Sequence, residues 1–126
     1  MSRKAVTAEG AAVVGPYSQA VRAGELLFLS GQTSLDPATG RLVEGGVGAQ
    51  TEQCFRNLFA VLRAAGLSPD AVVKVNVFLT DMADFPAMNE VYARQFERPY
   101  PARSTVGVAA LPLGARIEIE LVAREG

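Results

Sequence analysis

The chain has 126 residues, of which 49% are hydrophobic and 20% charged, and it carries a formal net charge of −1. This length and composition predict one globular domain over residues 1–126. The small net charge, with no basic stripe, argues against broad attraction to nucleic acid or to an anionic membrane. Because the chain has no histidine, it lacks the commonest general base and the commonest metal ligand.

The sequence shows no membrane anchor and no targeting segment. Its apolar runs are much shorter than the roughly 20 residues that cross a bilayer, and Arg3 and Lys4 precede no apolar run of a signal peptide. The single cysteine, Cys54, excludes an internal disulfide, which agrees with a reducing compartment. We expect a cytoplasmic protein that does not contact membranes.

The N-terminal part of the chain predicts strands. A short edge strand is expected over residues 4–7, and a second segment over residues 18–22 leads through a tight turn into a third strand over residues 25–30. In this third strand Leu26 and Phe28 alternate with Leu27 and Leu29, so both faces are apolar, as in a central strand. Residues 31–46, with their Gly and Pro turn signals, are expected to form a loop.

The remainder predicts two helices and three strands. Apolar residues recur at helical spacing over residues 47–65, with Gly66 placed to end the helix. A strand follows over residues 72–80, with Val73, Val75, Val77 and Leu79 on one face, and a second helix over residues 84–96 with Asp84 as its N-cap. Strands over residues 103–108 and 115–123 complete the chain.

The element order βββ-α-β-α-ββ predicts an α/β fold, with a mixed sheet of about six strands and two helices on one face. Two helices leave the other face of the sheet uncovered, although Leu26 and Phe28 are apolar. A second copy of the chain would cover this surface most simply. We therefore expect a homo-oligomer.

Arg103 is the first candidate for chemistry, because it interrupts a segment that otherwise resembles a buried strand. A guanidinium on a rigid strand can bind a carboxylate through two parallel hydrogen bonds. A carboxylate on the next strand of the chain, Glu118 or Glu120, would add an acid, a base or a water-orienting group. The alternative is an ion pair between Arg103 and one of these two glutamates on a solvated face, and periodicity does not choose between Glu118 and Glu120.

Other candidates each have a plainer explanation. Tyr17 follows Gly15-Pro16 and either lines a pocket or packs on the surface of a turn. At Ser30 and Gly31 the chain either lets a ligand approach the backbone closely or simply ends a strand. Asn89 lies beside the apolar stripe of the second helix, where a solvent-facing amide is the simple interpretation. Cys54 belongs to the apolar stripe of the first helix and is expected to be a buried core thiol.

Several motifs, in one order and spacing over nearly the whole chain, resemble those of the RidA (YjgF) family. The motifs are Gly15-Pro16-Tyr17-Ser18-Gln19-Ala20-Val21, Ser30-Gly31-Gln32, Gln50-Thr51 through Asn57-Leu58 to Ala64-Ala65-Gly66-Leu67, Val73-Lys74-Val75 through Phe78-Leu79-Thr80-Asp81-Met82, Phe85, Asn89-Glu90-Val91-Tyr92, Pro101-Ala102-Arg103-Ser104 and Ile117-Glu118-Ile119-Glu120.

This resemblance implies a chorismate-mutase-like fold, assembled as a homotrimer with clefts between subunits. It implies a deaminase that hydrolyses reactive enamines and imines, such as 2-aminoacrylate, to 2-keto acids and ammonia without a cofactor or metal. Carried over by position, Arg103 would bind the substrate carboxylate and Glu118, not Glu120, would orient water and assist proton transfer.

Further contacts are implied in the same way. Tyr17 of the neighbouring subunit would line the cleft, and Ser30, Gly31 and Asn89 would be secondary contacts. One position departs from the pattern, since Thr105 stands where many deaminases of the family have cysteine. If the residue at this position acts through its backbone carbonyl, catalysis survives the change to threonine. Any regulation that depends on a thiol at this position would be lost.

Two other functions remain open at this point. The cleft would act as a binding module if it captured a small 2-keto acid without turnover. An endoribonuclease or translation inhibitor, an activity reported for some relatives, is disfavoured by the acidic balance and the missing histidines.

Overall fold

The structure, a computed structural model, describes residues 3–9, 13 and 15–126. The strands in this part are β1 (Lys4–Val6), β2 (Ala20–Ala23), β3 (Leu26–Gln32), β4 (Leu35–Asp36), β5 (Arg41–Leu42), β6 (Val72–Leu79), β7 (Ala102–Gly107) and β8 (Ile117–Arg124), and the helices are α1 (Val47–Ala64) and α2 (Phe85–Ala93). Neither helix is long and apolar enough to cross a membrane.

Six strands form one mixed sheet in the order β1-β2-β3-β8-β6-β7. All neighbours are antiparallel except β6 and β7, which are joined through α2 because parallel strands need a crossover. The predicted mixed sheet with two helices on one face is therefore confirmed. The predicted loop over residues 31–46 is wrong in one respect, because β4 and β5 form a small hairpin within it.

Helix α1 matches its prediction closely. Its apolar stripe, which includes the fully buried Phe55, Leu58 and Leu62, packs on the sheet. The helix ends in a Schellman motif, in which Gly66 has a φ of +79° and the Leu67 amide donates to the Leu62 carbonyl at 2.9 Å. The glycine is required there because the turn needs a left-handed backbone.

Helix α2 is shorter than predicted, and Asp84 occupies its N-cap position as predicted. Asp84 stands at the N-cap position but makes no side-chain cap bond. Its carboxylate instead accepts two hydrogen bonds from Arg116, at 2.7 and 3.2 Å. The carboxylate of Asp81 caps the preceding 3₁₀ turn by accepting from the Ala83 amide at 2.9 Å. The pairing with Arg116 thus ties the start of α2 to the start of β8.

One residue of β6 faces the opposite way from its prediction. The register with β8 shifts between Val72 and Lys74, so Val72 is buried while Val73 is 44% exposed. The alternation resumes as predicted at Val75. A bulge at this point explains the error, because an extra residue in one strand reverses the side-chain pattern.

The two faces of the sheet differ in how they are covered. Side chains on the helix-covered face, such as Leu27, Val75 and Leu121, are almost fully buried. On the other face, here called the open face, Leu26 is 37% exposed, Phe28 46% and Val106 45%. The uncovered apolar surface expected from the sequence is therefore present in the single chain.

Candidate functional site

Arg103 lies on the helix-covered face of the sheet. Its cross-strand partner on β6 is the buried Val75, and directly opposed residues point to the same face. The Arg103 Nη1 donates to Asn89 Oδ1 of α2 at 2.7 Å. The guanidinium carbon lies 4.6 Å from the centroid of the Tyr92 ring and 5.5 Å from that of Phe85, which is the geometry of a cation–π contact. Helix α2 therefore fixes the guanidinium from two sides.

The positive charge of Arg103 is not neutralised within the described part of the chain. The ion pairs there join Arg22 to Glu125, Arg94 to Glu52, Arg116 to Asp84 and Arg124 to Glu25. Arg103 belongs to none of these pairs. The alternative interpretation of Arg103 as the partner of Glu118 or Glu120 is therefore wrong, and its charge is available to an anion.

A cleft of about 390 Å³ opens beside this guanidinium and is here called the Arg103 cleft. Its lining residues are Asn89, Tyr92, Ala93, Tyr100, Pro101 and Arg103. The solvent-facing interpretation of Asn89 is incomplete, because its exposed amide also bonds to Arg103. Thr105 follows Arg103 on the same face, opposite Val77, and its buried Oγ1 has no hydrogen-bond partner among the described residues.

Glu118 lies in a different place, on the open face. It pairs with Phe78 of β6 and lines a second cleft of about 400 Å³, here called the Glu118 cleft. Tyr17, Ser30 and Gly31 line the same cleft, so four of the predicted site residues come together here within one chain. Tyr17, expected from a neighbouring subunit, thus shares this cleft with the Glu118 of its own chain.

Gly31 is needed for the position of Glu118. A Cβ added at Gly31 would overlap the Glu118 carboxylate, so only glycine lets the side chain lie against the backbone. The register of β3 and β8 shifts between Leu29 and Gln32, and this irregularity brings Gly31 to Glu118. The glycine therefore does more than end a strand.

Glu118 and Glu120 differ in their hydrogen bonds and in their surroundings. The Oε2 of Glu120 accepts from Asn76 Nδ2 at 3.0 Å. Burial raises the pKa of the Glu118 carboxyl, and the neighbouring Glu120 raises it further. The pKa shift of Glu118 thus runs upward in the single chain, where Arg103 lies on the other face of the sheet. A raised pKa moves the Glu118 carboxyl toward the range in which a carboxyl group can exchange protons during catalysis.

Ser30 and Cys54 have clear local roles. The Ser30 hydroxyl donates to the Ser18 carbonyl at 2.6 Å, so its oxygen retains only acceptor capacity toward a ligand. Cys54 is fully buried, and burial raises the pKa of its thiol, with a further contribution from Glu118. The expectation that Cys54 is a core thiol is confirmed, because a buried thiol of raised pKa is a poor nucleophile.

Arg103 and Glu118 do not meet within one chain. They project from opposite faces of the sheet, and β6 lies between their strands in the sheet order. The expectation that a carboxylate on the following strand would lie near Arg103 is wrong for this reason. The chain presents two half-sites, each with part of the predicted chemistry.

Several site residues were not predicted as such. Tyr92 and Phe85 were named only among the motifs of the family resemblance and were given no role, yet their rings contact Arg103. Around Glu118 the unpredicted lining residues are Gln32, Thr33, Leu35, Pro112 and Leu113. The turn Leu111-Pro112-Leu113-Gly114 carried a usable signal, because it places an apolar residue between a proline and a glycine.

Comparisons with known proteins identify the family and the fold of this chain. The family described as "Endoribonuclease L-PSP" matches residues 7–125. A mouse 2-iminobutanoate/2-iminopropanoate deaminase is 47% identical over 120 residues, which are 95% of this chain and 89% of that protein. The crystal structure of RidA from the Antarctic bacterium Psychrobacter is 48% identical, with a TM-score of 0.92 over 97% of this chain and 99% of that one.

A third relative was solved with a ligand. E. coli TdcF with bound serine is 38% identical, with a TM-score of 0.92 over 98% of this chain and 99% of that one. Because the family model and the relatives each span nearly the whole chain, the identification does not depend on a short motif. The chain belongs to the RidA (YjgF) family, whose model is described as "Endoribonuclease L-PSP".

Proposed function

We propose that this protein is a deaminase that hydrolyses 2-imino acids and their enamine tautomers, such as 2-aminoacrylate, to 2-keto acids and ammonia. The observation that carries the proposal is the fixed guanidinium of Arg103, which is held by Asn89 and Tyr92 and has no ion-pair partner in the described chain. Such a group is suited to a small carboxylate. The deaminase name of the mouse relative supports the same reaction.

The active site, in this proposal, is completed by a second copy of the chain. One copy supplies Arg103 and Asn89, and its neighbour supplies Glu118, Gly31 and Tyr17. The apolar side chains exposed on the open face, including Leu26 and Phe28, would be covered in this assembly. A cyclic homotrimer, which the family resemblance implies, repeats one such head-to-tail contact three times.

The reaction follows from the groups on the two half-sites. Arg103 binds the substrate carboxylate and orients the trigonal C=N carbon toward Glu118. Glu118 orients a water molecule whose oxygen attacks this carbon, and a water proton passes to the nitrogen. In the collapse of the carbinolamine the hydroxyl proton moves to the nitrogen, the C–N bond breaks, and ammonia and the 2-keto acid are released. An enamine enters the same path after a proton is added to its β-carbon.

This chemistry needs placement more than a strong nucleophile, because the C=N carbon is already electrophilic. A charge-assisted bond between Arg103 and the carboxylate contributes about 1.5–3 kcal/mol. Removing it should lower kcat/KM by roughly tenfold to a hundredfold or more. A neighbouring chain's Arg103 would also shift the pKa of Glu118 back toward ordinary values, since an opposite charge favours the carboxylate.

The test measures imine loss with 2-aminoacrylate generated from serine by a dehydratase, in competition with semicarbazide. The wild-type protein should lower semicarbazone formation, and Arg103→Ala should lose most of this effect. The matched control is Arg56→Ala, because Arg56 is an exposed arginine of α1 away from both clefts. Equal rates for wild type and Arg103→Ala would refute the role of Arg103.

A second candidate function is capture of a small carboxylate without turnover. It is favoured by the relative solved with bound serine and by the same available guanidinium. Calorimetry with 2-ketobutyrate separates the two functions. Saturable binding with no change in imine lifetime would favour the binding module, whereas binding together with faster imine loss would favour the deaminase.

The family description also names an endoribonuclease. RNA binding relies on basic surfaces that neutralise phosphates, whereas this chain has 12 basic and 13 acidic residues and no histidine. We therefore rank this function third. Cleavage of RNA by the purified protein that Arg103→Ala abolishes would reverse the ranking.

A further inference from the structure

Leu113 has an unusual backbone and an unusual exposure. It adopts a φ of 61° and a ψ of 17° between Pro112 and Gly114, and it is the one non-glycine residue with positive φ in the described chain. A leucine resists this left-handed conformation, which glycine and asparagine adopt readily. Its side chain is also 61% exposed. The turn therefore holds an apolar side chain outward at an energetic cost, a combination that is typical of functional positions.

The position of Leu113 suggests what this side chain contacts. Together with Leu35, Pro112 and Tyr17 it lines the Glu118 cleft, which the polar groups of Ser30 and Glu118 also line. In the proposed deaminase, the reactive trigonal carbon carries three substituents. The carboxylate goes to Arg103 and the nitrogen to the side of Glu118, so the substrate side chain meets the remaining apolar wall.

We propose that Leu113 is a specificity-determining residue that contacts the substrate side chain, so that among alkyl 2-imino acids this protein prefers those with larger side chains. This inference rests on the proposed function. The cleft of about 400 Å³ leaves room for more than the smallest imino acids. Glu118 and Glu120, both in the same cleft, would repel a second carboxylate on the substrate.

The test compares imino acids made in situ from leucine, alanine and glutamate by an amino acid oxidase, with semicarbazide competition as the readout. In the wild type the leucine-derived imine should be lost fastest and the glutamate-derived imine slowest. Leu113→Asn keeps the left-handed backbone but replaces the alkyl group with an amide. It should lower the ratio of the leucine-derived rate to the alanine-derived rate about fivefold to tenfold. This is near the lower limit of the discrimination that hydrophobic pockets achieve between alkyl groups of different size, because the wall that Leu113 forms is open to solvent.

The control is Val73→Thr, which changes an exposed apolar residue outside the cleft and should leave the ratio unchanged. An unchanged ratio in Leu113→Asn would overturn the inference while leaving the deaminase intact. A changed assembly mass in Leu113→Asn, measured by light scattering, would also overturn it by making Leu113 an interface residue. Absence of turnover with all three imines in the wild type would instead refute the proposed function.

Discussion

The Arg103 cleft and the Glu118 cleft are built in different ways. Arg103 is fixed by contacts within its own chain, to the amide of Asn89 and the ring of Tyr92. Glu118 rests against Gly31 on a face that no helix covers, beside a second carboxylate. The Arg103 cleft is thus preorganised in the single chain, whereas the environment of the Glu118 cleft would change on assembly.

The largest expected effect comes from Glu118, because it alone is assigned to water and proton transfer. Glu118→Gln should lower kcat for imine hydrolysis by about 10²- to 10⁴-fold, the usual range for a general acid–base group. Glu120→Gln is the matched control and should cost much less, because Glu120 is already engaged by Asn76. Rate measurements at saturating imine supply check both variants, and equal losses would contradict the assignment to Glu118.

The next effect concerns the space beside Glu118. Gly31→Ala places a Cβ where the Glu118 carboxylate now lies, so this side chain must move. A misplacement of about 1 Å in an active site can lower the rate about a hundredfold. Gly46→Ala is the control, because a Cβ there meets nothing within 4 Å. Thermal unfolding of both variants separates displacement from misfolding. Full activity in a stably folded Gly31→Ala would show that the position of Glu118 is not critical.

A smaller effect should distinguish the ring of Tyr92 from its hydroxyl. Tyr92→Leu removes the ring below Arg103 and should weaken pyruvate binding about threefold to tenfold, given a cation–π contact of roughly 0.5–2 kcal/mol. Tyr92→Phe keeps the ring and removes a buried hydroxyl that has no hydrogen-bond partner among the described residues, so its affinity should match the wild type. Calorimetry measures both, and equal weakening in the two variants would argue against the cation–π contact.

The smallest effect is a dependence of stability on pH. The pKa of Glu118 is raised in the folded chain by burial and by Glu120, so the folded state binds this proton more tightly than the unfolded state. The contribution of Glu118 to the free energy of unfolding is therefore greatest below the pKa that this group has in the unfolded chain, about 4.3. The contribution is lost as the pH rises through the higher pKa of the folded chain. Melting temperatures of Arg103→Ala and of the double variant Arg103→Ala/Glu118→Gln should diverge over this interval, with Arg103→Ala losing more, because no neighbouring guanidinium then opposes the raised pKa. A parallel pair of curves would contradict the shift.

The sequence predicted helices and strands well where one pattern of apolar residues continued over several periods. The stripe of α1 and its Gly66 ending are confirmed by the structure, because spacing and a left-handed glycine are local properties. The β4–β5 hairpin and the reversal at Val73 were missed. Two-residue strands have no periodicity to read, and a bulge is a property of two paired strands.

The candidate site shows a sharper limit. Arg103, Asn89, Gly31 and Glu118 could be selected from residue type and motif, but their division between two faces could not. Glu118 follows Arg103 along the chain on the next strand, yet β6 lies between those strands in the sheet. Strand order depends on long-range pairing, which leaves no mark at the two residues themselves.

The central claim is that each active site combines Arg103 of one chain with Glu118 of another, and complementation tests it most directly. Arg103→Ala and Glu118→Gln, each strongly impaired alone, are co-expressed so that mixed assemblies form. Random mixing in a cyclic oligomer leaves both side chains intact at about a quarter of the interfaces. We expect that share of wild-type imine hydrolysis to return. If mixed assemblies form, as mass measurements would show, and stay as inactive as their parents, the shared site is contradicted.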